Sequence, residues 1–383
     1  MKKETLLTTV GRAHDGHNGV VNMPAYRAST ILFHNLSDFR AGERGEYKHP
    51  TYGRYGTPST EALEEALAKV EGADRAIVTA SGLSAIVTTL LAFLKTGDHV
   101  LIVDSVYGPV RRFCDQMLKR MNIEYTYYHP LIGADIAKLI QPNTKMVYLE
   151  SPGSLTFEVQ DLPAISKAAK AKGCLVVSDS TWATPFYQDP FALGVDIVIH
   201  SATKYISGHS DLVMGTIACK EEHYSPLLKT YRHMGATPSG DNCFFAQRGL
   251  RTMPARLRQH ADNGMAVAQW LQKHPRVERV IHPALPGSPG HELWKRDFTG
   301  ATSLFAFTIK DCKEEGLARM IDNLQLFGLG YSWGGYESLI IPFDITHRKH
   351  IDWPYKGQPV RVHIGLEHVD DIIRDLDAGF ARL

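Results

Sequence analysis

The chain has 383 residues, 44% of them hydrophobic and 22% charged, which is typical of a soluble globular protein with about two domains. Its 42 basic and 41 acidic residues nearly cancel, which argues against binding to nucleic acid or to a membrane surface. No apolar run reaches the roughly 18 residues of a membrane span, and the first residues lack the pattern of a signal peptide.

Residues 1–58 show no strong hydrophobic periodicity and are rich in Gly, His, Asn, Tyr and Arg. Such a segment cannot bury a core of its own, so it is either disordered or an arm that packs on another surface. The aromatic residues spread between positions 26 and 55 favour the second interpretation. We therefore predict an N-terminal arm over residues 1–58 that contacts a neighbouring subunit.

From residue 59 to residue 248, apolar runs of strand length alternate with helical patterns of about a dozen residues. The first predicted helix covers residues 60–67, with Thr60 as its N-cap. This alternation is typical of a mostly parallel sheet that is covered by helices on both faces. The predicted strands are 76–80, 99–103, 146–149, 175–178 and 196–200.

The sequence pattern changes after residue 248. A long helix through 265–271 leads to a strand at 277–281, and a Pro- and Gly-rich loop follows at 283–290. Another strand at 303–307 and a closing helix at 369–383 complete the pattern. We predict a smaller C-terminal α+β domain over residues 249–383, next to a large α/β domain over residues 59–248.

Two consecutive strands of the large domain end in residues that suit one cofactor. Asp179 ends the first strand, and the second leads into a Ser-x-Thr-Lys run that closes with Lys204. Pyridoxal phosphate needs a lysine for its Schiff base, an acid beside its ring nitrogen and small hydroxyls for its phosphate. Ser201 and Thr203 supply those hydroxyls. Alone, Lys204 would be interpreted as a surface lysine and Asp179 as a helix cap, but their combination favours a cofactor site.

Two other strands end in residues that fit the same site. Gly82 and Leu83 stand where a helix begins, so their free backbone N–H groups could bind a phosphate. Tyr107 follows the next strand, and its ring could stack on a flat cofactor. The structural alternatives are an ordinary turn and a packing tyrosine. Because parallel strands bring their carboxyl ends to one sheet edge, we predict that these residues meet Asp179 and Lys204 there.

Motifs along the whole chain carry a family resemblance: YGR at 52–54, LESP at 149–152, SATKY at 201–205, GHSD at 208–211, RGLRT at 248–252, YSWGGYES at 331–338 and RVHIGLE at 361–367. The chain resembles the pyridoxal-phosphate enzymes of transsulfuration, the cystathionine lyase and synthase family. The resemblance implies an aspartate-aminotransferase-like fold (fold type I) whose large domain holds a mostly parallel seven-stranded sheet.

The resemblance also implies roles for the cofactor-site residues. Lys204 would form the Schiff base and act as a catalytic residue with Tyr107, which stacks on the ring, and Asp179, which pairs with the ring nitrogen. The implied phosphate ligands are Gly82, Leu83, Ser201 and Thr203, with Tyr52 and Arg54 of a neighbouring subunit. Leu83 stands where the family usually has Met. Because the contact is made by a backbone N–H, that change should matter little.

The residues expected to bind the substrate lie in the C-terminal domain. Arg361 matches the arginine that binds the substrate α-carboxylate, a task that suits its planar guanidinium. Ser332 and Trp333 fall where the family closes the substrate pocket, which Tyr107 also borders. Residues 342–358 depart most from the family pattern, so the contacts at the pocket mouth remain open.

The resemblance implies a carbon–sulfur lyase that converts L-cystathionine into L-homocysteine, pyruvate and ammonia by α,β-elimination, in methionine biosynthesis. Cleavage of cysteine- or cystine-type thioethers is an expected side activity. In this family, β-lyases carry Trp in 331–335 where γ-acting relatives usually have a smaller aliphatic residue, so Trp333 favours the β reaction. The alternatives are a γ-lyase or γ-synthase of the same family, and a regulatory protein that binds the cofactor without catalysis.

Other features set the expected surroundings of the protein. The five cysteines are scattered without a C-x-x-C pair, which predicts a reduced cytoplasmic protein without disulfides or structural zinc. The spacing of Ser201 and Lys204 also fits the Ser/Lys hydrolases, but the companion motifs of that class are missing. The family resemblance implies a homotetramer built from two active dimers.

Overall fold

The computed structural model of the protein describes residues 1–12 and 19–383. The helices are α1 Lys3–Thr9, α2 Leu36–Glu43, α3 Pro58–Glu71, α4 Gly82–Phe93, α5 Gly108–Phe113, α6 Leu162–Lys170, α7 Thr184–Tyr187, α8 Glu221–Met234, α9 Gly240–Lys273, α10 His291–Asp297, α11 Glu314–Ile321 and α12 Val369–Phe380. The strands are β1 Arg75–Thr79, β2 His99–Val103, β3 Glu124–Tyr128, β4 Thr144–Glu150, β5 Leu175–Asp179, β6 Ile197–Ser201, β7 Gly215–Cys219, β8 Val277–Ile281, β9 Leu304–Ile309, β10 Gly328–Leu329, β11 Leu339–Pro342 and β12 Gln358–His363.

The large sheet has seven strands in the order β1-β7-β6-β5-β4-β2-β3. Strands β2 to β6 run parallel to one another, whereas β7 is antiparallel to both β1 and β6. The prediction of an α/β fold with a mostly parallel seven-stranded sheet is therefore confirmed. All five residues of β2 are buried, as are the four central apolar residues of β4, because helices cover both faces of the sheet.

Helix α3 begins earlier than the sequence pattern predicted. The N-cap is Thr57, whose Oγ1 accepts the backbone N–H of Thr60 at 3.4 Å. Pro58 occupies the first helical position, where its missing N–H costs nothing because that group has no intrahelical partner anyway. The prediction of Thr60 as the N-cap was thus wrong by three residues, and Thr60 lies in the first turn.

The smaller sheet has five strands in the order β10-β11-β12-β9-β8. Helix α9, 34 residues long, packs its first half in a core with α1 and α3 and its second half against the small sheet. The predicted boundary between residues 248 and 249 falls inside this helix, which both cores share, and the boundary remains a prediction. None of the described helices is long and apolar enough to cross a membrane.

The N-terminal segment divides into a packed part and an exposed part. Leu7 of α1 is fully buried in the core that α3 and α9 form, so the first residues belong to the body of the chain. In contrast, α2 has no buried residue, and the Leu32 and Leu36 side chains are exposed. Residues 13–18 of the predicted arm lie outside the described residues. The arm over 1–58 and its contact with another subunit stay predictions.

Candidate active site

Four strands of the large sheet that point the same way end at one edge, and each delivers a predicted site residue there. Gly82 opens α4 after β1, and Tyr107 follows β2. Asp179 is the last residue of β5, and Lys204 lies in the turn after β6. The carboxyl edge of an open sheet is where ligands of such folds bind. The structure thus brings together the residues that the strand pattern placed at this edge.

Lys204 is held between the two domains. Its Nζ donates to the Ser332 hydroxyl at 2.8 Å and lies 5.3 Å from the centre of the Trp333 ring. Burial, followed by the positive charge of Arg361, lowers the pKa of Lys204 to about 8, against the opposing influence of Asp179. An amine with a pKa close to neutral can both take and give a proton at physiological pH.

The Asp179 carboxylate is buried, and the groups around it only partly offset the cost of burying its charge. Its Oδ1 accepts the backbone N–H of Thr181 at 2.9 Å. Burial nevertheless raises the pKa of Asp179, although Thr181, His200 and Lys204 act in the opposite direction. A carboxylate in such a position is stabilised by a cationic N–H group beside it. The protonated ring nitrogen of pyridoxal phosphate is a group of this kind.

The start of α4 forms a cradle that suits a phosphate. A Cβ atom on Gly82 would lie 2.7 Å from the Ser201 Cβ and 2.8 Å from its Oγ, so only glycine lets helix and strand meet this closely. Within the described residues, the N–H groups of Gly82 and Leu83 and the Ser201 hydroxyl have no hydrogen-bond partner. Free donors at a helix start are what an anionic group needs.

Thr203 differs from the other predicted phosphate ligands. Its hydroxyl donates to the Met214 carbonyl at 3.2 Å and accepts the Met214 N–H at 3.0 Å. It would have to redirect its proton to bind a phosphate. Asp179, Lys204 and the cradle together fit pyridoxal phosphate. Thr203 would either hold the turn after β6 or, once its hydroxyl has rotated, bind the phosphate with the cradle.

Tyr107 stands at the mouth of the cleft with 45% of its surface exposed. Its backbone N–H donates to Glu150 Oε2 at 2.7 Å. Partial burial and the negative charges of Glu150 and Asp179 raise the pKa of Tyr107, whereas Arg112 and Arg361 act in the opposite direction. The phenol is therefore protonated at neutral pH. The charges that act on its pKa include those of Asp179 and Arg361.

Arg361 is anchored on β12 with 8% of its surface exposed. Its Nη2 donates to the carbonyls of Tyr331 and Ser332 at 2.8 and 3.1 Å. Burial lowers the pKa of Arg361 to about 10, which leaves it charged at neutral pH. Among the described residues, its Nε and Nη1 donors have no partner, so they are available to a carboxylate.

The loop 342–358, whose contacts the sequence left open, packs behind Tyr107. Arg348, 7% exposed, donates to the carbonyls of Ser154 and Val106 at 2.6 and 3.4 Å. The His350 N–H donates to Asp104 Oδ2 at 2.6 Å. Sequence reasoning missed Arg348 and also Glu150, although Glu150 lies in the LESP motif. For Arg348 no local signal existed, because its partners lie about 190 to 240 residues upstream.

Tyr52 and Arg54 lie apart from these residues. Arg54 donates to the Arg232 carbonyl at 2.6 Å and to the Tyr55 hydroxyl at 3.1 Å, and its own carbonyl accepts from Thr237. No hydrogen bond in the described part of the chain joins Tyr52 or Arg54 to Lys204 or to the cradle. Within one chain, the structure does not bring them into the site, and their action on a neighbouring subunit remains a prediction.

Comparisons with known proteins agree with this geometry. The family described as "Cys/Met metabolism PLP-dependent enzyme" matches residues 4–381. The chain is 42% identical over 390 residues to the cystathionine β-lyase MetC of Escherichia coli (strain K12), with 100% of this chain and 99% of the relative covered. It is 40% identical over 396 residues to the L-alanine/L-glutamate racemase of Wolbachia pipientis wMel, with 100% and 98% covered.

Solved structures share the fold as well. The chain superposes with a TM-score of 0.91 on the cystathionine γ-synthase of Xanthomonas oryzae pv. oryzae, which was crystallised with aminoacrylate and cysteine. The two are 31% identical, and the superposition covers 100% of this chain and 98% of the other. Because the superposition covers the whole chain, it includes both the large sheet and the small sheet.

Proposed function

The chain belongs to the Cys/Met metabolism PLP-dependent enzyme family, and we propose that it catalyses the α,β-elimination of L-cystathionine to L-homocysteine, pyruvate and ammonia. One observation carries the proposal. The amine of Lys204, with its pKa lowered to about 8, is bound to the Ser332 hydroxyl and lies under the Trp333 ring. A proton-transferring group therefore faces the loop that would shape the substrate pocket.

Arg361 binds and orients the substrate. The guanidinium donors that the chain itself leaves free bind the α-carboxylate by charge-assisted hydrogen bonds, which fixes the direction of the Cα–H bond. Lys204 Nζ then removes the proton from Cα as the general base. Pyridoxal phosphate, when bound, supplies the electron sink for the pair released at Cα. Asp179 would keep that sink positively charged by placing a carboxylate beside the ring nitrogen.

The leaving group departs in the second half of the reaction. The Cβ–S bond breaks with its electron pair on sulfur, and Lys204, now protonated, gives its proton to the thiolate to form homocysteine. The remaining three-carbon enamine reacts with one water to give pyruvate and ammonia. Because the chemistry needs only a sulfur leaving group on Cβ, cysteine- or cystine-type thioethers should be slower substrates.

Trp333 supports β-elimination over γ-elimination. A γ reaction needs a second proton taken from Cβ and a lysine that can follow the substrate chain. Here the Lys204 amine is fixed by Ser332 and covered by the Trp333 ring, which restricts such movement. The likeness to the cystathionine γ-synthase, at 31% identity, is weaker than the 42% identity to the E. coli β-lyase.

A homotetramer of two active dimers would complete the site. Tyr52 and Arg54 are exposed, and Arg54 donates to the Arg232 carbonyl rather than to its own cradle; in the proposed dimer they reach the phosphate of the neighbouring subunit. The exposed apolar side chains of the N-terminal segment supply a surface for that contact. We place the protein in the cytoplasm, since all five cysteines are free and four of them are buried.

Amino-acid racemisation is a second candidate, favoured by the 40% identity to the Wolbachia racemase. Both reactions begin when Lys204 takes the Cα proton. Racemisation then needs a donor for the opposite face, and the Tyr107 phenol, protonated at neutral pH, is the candidate. Alanine separates the two activities, because it has no leaving group on Cβ and cannot undergo elimination.

The test is to incubate the purified holoenzyme with L-cystathionine and identify the products. Homocysteine, pyruvate and ammonia in equal amounts support the proposal. Cysteine with 2-oxobutanoate as the main products would make the protein a γ-lyase instead. A parallel incubation with L-alanine measures D-alanine formation, and Lys204→Ala serves as the control in both assays.

A further inference from the structure

Three buried polar side chains lie behind the loop that carries Ser332 and Trp333. They are His260 in α9, Ser303 just before β9 and His363 in β12, and none of them has exposed surface. The Ser303 hydroxyl lies 3.2 Å from the Nδ1 atom of each imidazole. These contacts join the interdomain helix to the small sheet directly beneath the proposed substrate pocket, and no step of the reaction uses them.

His363 connects this cluster to the loop. Its Nε2 lies 3.1 Å from the backbone nitrogen of Gly334. Because an N–H group can only donate, Nε2 must be the acceptor, and the ring proton then sits on Nδ1, where it can be donated to Ser303. The Gly335 carbonyl, also 3.1 Å from Nε2, would be bound only if that nitrogen carried the proton. The tautomer therefore determines which backbone group of the loop is held.

The surroundings of His363 keep it in the neutral form that accepts. Burial lowers its pKa well below the ordinary value, and the nearby groups on other elements, His260 and Lys204, act in the same direction, as does Arg361 on its own strand. The Gly335 carbonyl opposes this. The pKa of His260 is likewise lowered by burial, to about 4. The pair is neutral throughout the physiological range.

The loop needs such an anchor because it packs tightly against the catalytic lysine. Gly334 has φ +86°, and a Cβ there would lie 2.8 Å from the Tyr205 nitrogen and 3.0 Å from the Lys204 Cα. Ser332 in the same loop accepts from Lys204 Nζ, and its carbonyl accepts from Arg361. A shift at Gly334 would therefore disturb the partners of both residues at once.

We propose that His363, held by Ser303 and backed by His260, is a positioning residue that fixes the loop 331–335 against Lys204 through the Gly334 N–H. The neutral imidazole sets the place of the Ser332 hydroxyl and of the Trp333 ring over the substrate. The choice of cystathionine as the test substrate rests on the proposed function. The anchoring of the loop does not.

The test compares His363→Leu, which removes the acceptor at similar volume, with His363→Gln, whose Oε1 can replace Nε2. Peptide-level hydrogen exchange of the holoenzyme should be faster over residues 331–336 in the Leu variant and close to wild type in the Gln variant. With cystathionine, the Leu variant should show KM raised about 10-fold with a smaller change in kcat, as loss of one buried hydrogen bond predicts. His274→Leu, at a partly buried histidine outside this cluster, is the matched control.

Unchanged exchange over 331–336 in His363→Leu, or equal damage from Leu and Gln, would overturn the proposal. If His363→Leu does not fold, Ser303→Ala decides. It removes the acceptor of the Nδ1 proton and so should move that proton to Nε2, releasing the Gly334 N–H and accelerating exchange in the same peptide; unchanged exchange there counts against the proposal. Lack of cystathionine cleavage by wild type would refute the proposed function alone, because the exchange comparison is independent of it.

Discussion

The carboxylate of Glu150, at the end of β4, accepts the backbone N–H of Tyr107 at 2.7 Å, although the two residues are 43 positions apart. Burial and the nearby charge of Asp179 raise the pKa of Glu150 well above its ordinary value, while the bond from the Tyr107 N–H and the charge of Arg348 act against this rise. A partly buried acid with one fixed hydrogen bond thus determines where the Tyr107 backbone begins its turn into α5. The position of the ring at the mouth of the cleft follows from that bond.

Glu150→Ala should therefore lower kcat/KM for cystathionine by about 10- to 100-fold, because the Tyr107 N–H loses its partner and Tyr107 shifts. Glu150→Gln keeps an oxygen acceptor without the charge and should stay within about 3-fold of wild type. Steady-state kinetics and the absorbance of bound cofactor measure both effects. Equal losses in the two variants would show that the charge, and not the hydrogen bond, is what matters.

Asp179 should act by its charge. Asp179→Asn keeps the shape and the bond from the Thr181 N–H, but it removes the negative charge beside the proposed ring nitrogen. We expect the variant to retain cofactor and to lose about 100- to 1000-fold in kcat, as for the removal of one preorganised electrostatic contact. Cofactor content and turnover are measured on the same sample. Near-normal kcat with full cofactor content would contradict the role.

The sequence predicted the large fold because buried parallel strands are continuous apolar runs, and residue types at strand ends identified Lys204 and Asp179. In the large sheet it missed two strands for a physical reason. β3 reads Glu-Tyr-Thr-Tyr-Tyr and lies at the sheet edge, and β7 is a short run of mainly small residues, so neither shows an apolar stretch of its own. The hydrogen bonds of Arg348 and His363 depend on long-range packing that a local pattern does not encode.

Glu64 in α3 makes stability depend on pH. Burial raises its pKa from 4.5 to about 8, partly offset by the bond that its Oε1 accepts from the Val78 N–H at 3.0 Å. Below pH 4.5 the group is protonated in both states and costs nothing. Between pH 4.5 and 8 the unfolded chain ionises first, so the folded state loses stability as the pH rises, and the loss levels off above pH 8.

Glu64→Gln should therefore raise the free energy of unfolding by roughly 1 to 3 kcal/mol near pH 8.5, with a gain that shrinks toward pH 4.5. Glutamine keeps the acceptor for the Val78 N–H. Urea unfolding at fixed protein concentration and several pH values measures the effect. Glu65→Gln, on the exposed side of the same helix, is the matched control and should show little pH dependence. A gain that grows at low pH would have the wrong sign.

The shared site of the proposed dimer can be tested by complementation. Arg54→Ala removes the residue that would reach the neighbouring phosphate, and Lys204→Ala removes the catalytic amine, so each protein alone should be nearly inactive. In a hybrid dimer, one site combines Lys204 from the first chain with Arg54 from the second and is intact, whereas the other site lacks both. Coexpressed, differently tagged chains purified as the hybrid should recover up to about half of the wild-type activity per dimer, since one site in two is complete.

A mixture of the two separately purified variants, measured before subunits exchange, is the control. Hybrids as inactive as their parents would place Arg54 and Lys204 in the same site of one chain. The exposed hydrogen bond from Arg54 to the Arg232 carbonyl would then be a surface contact only.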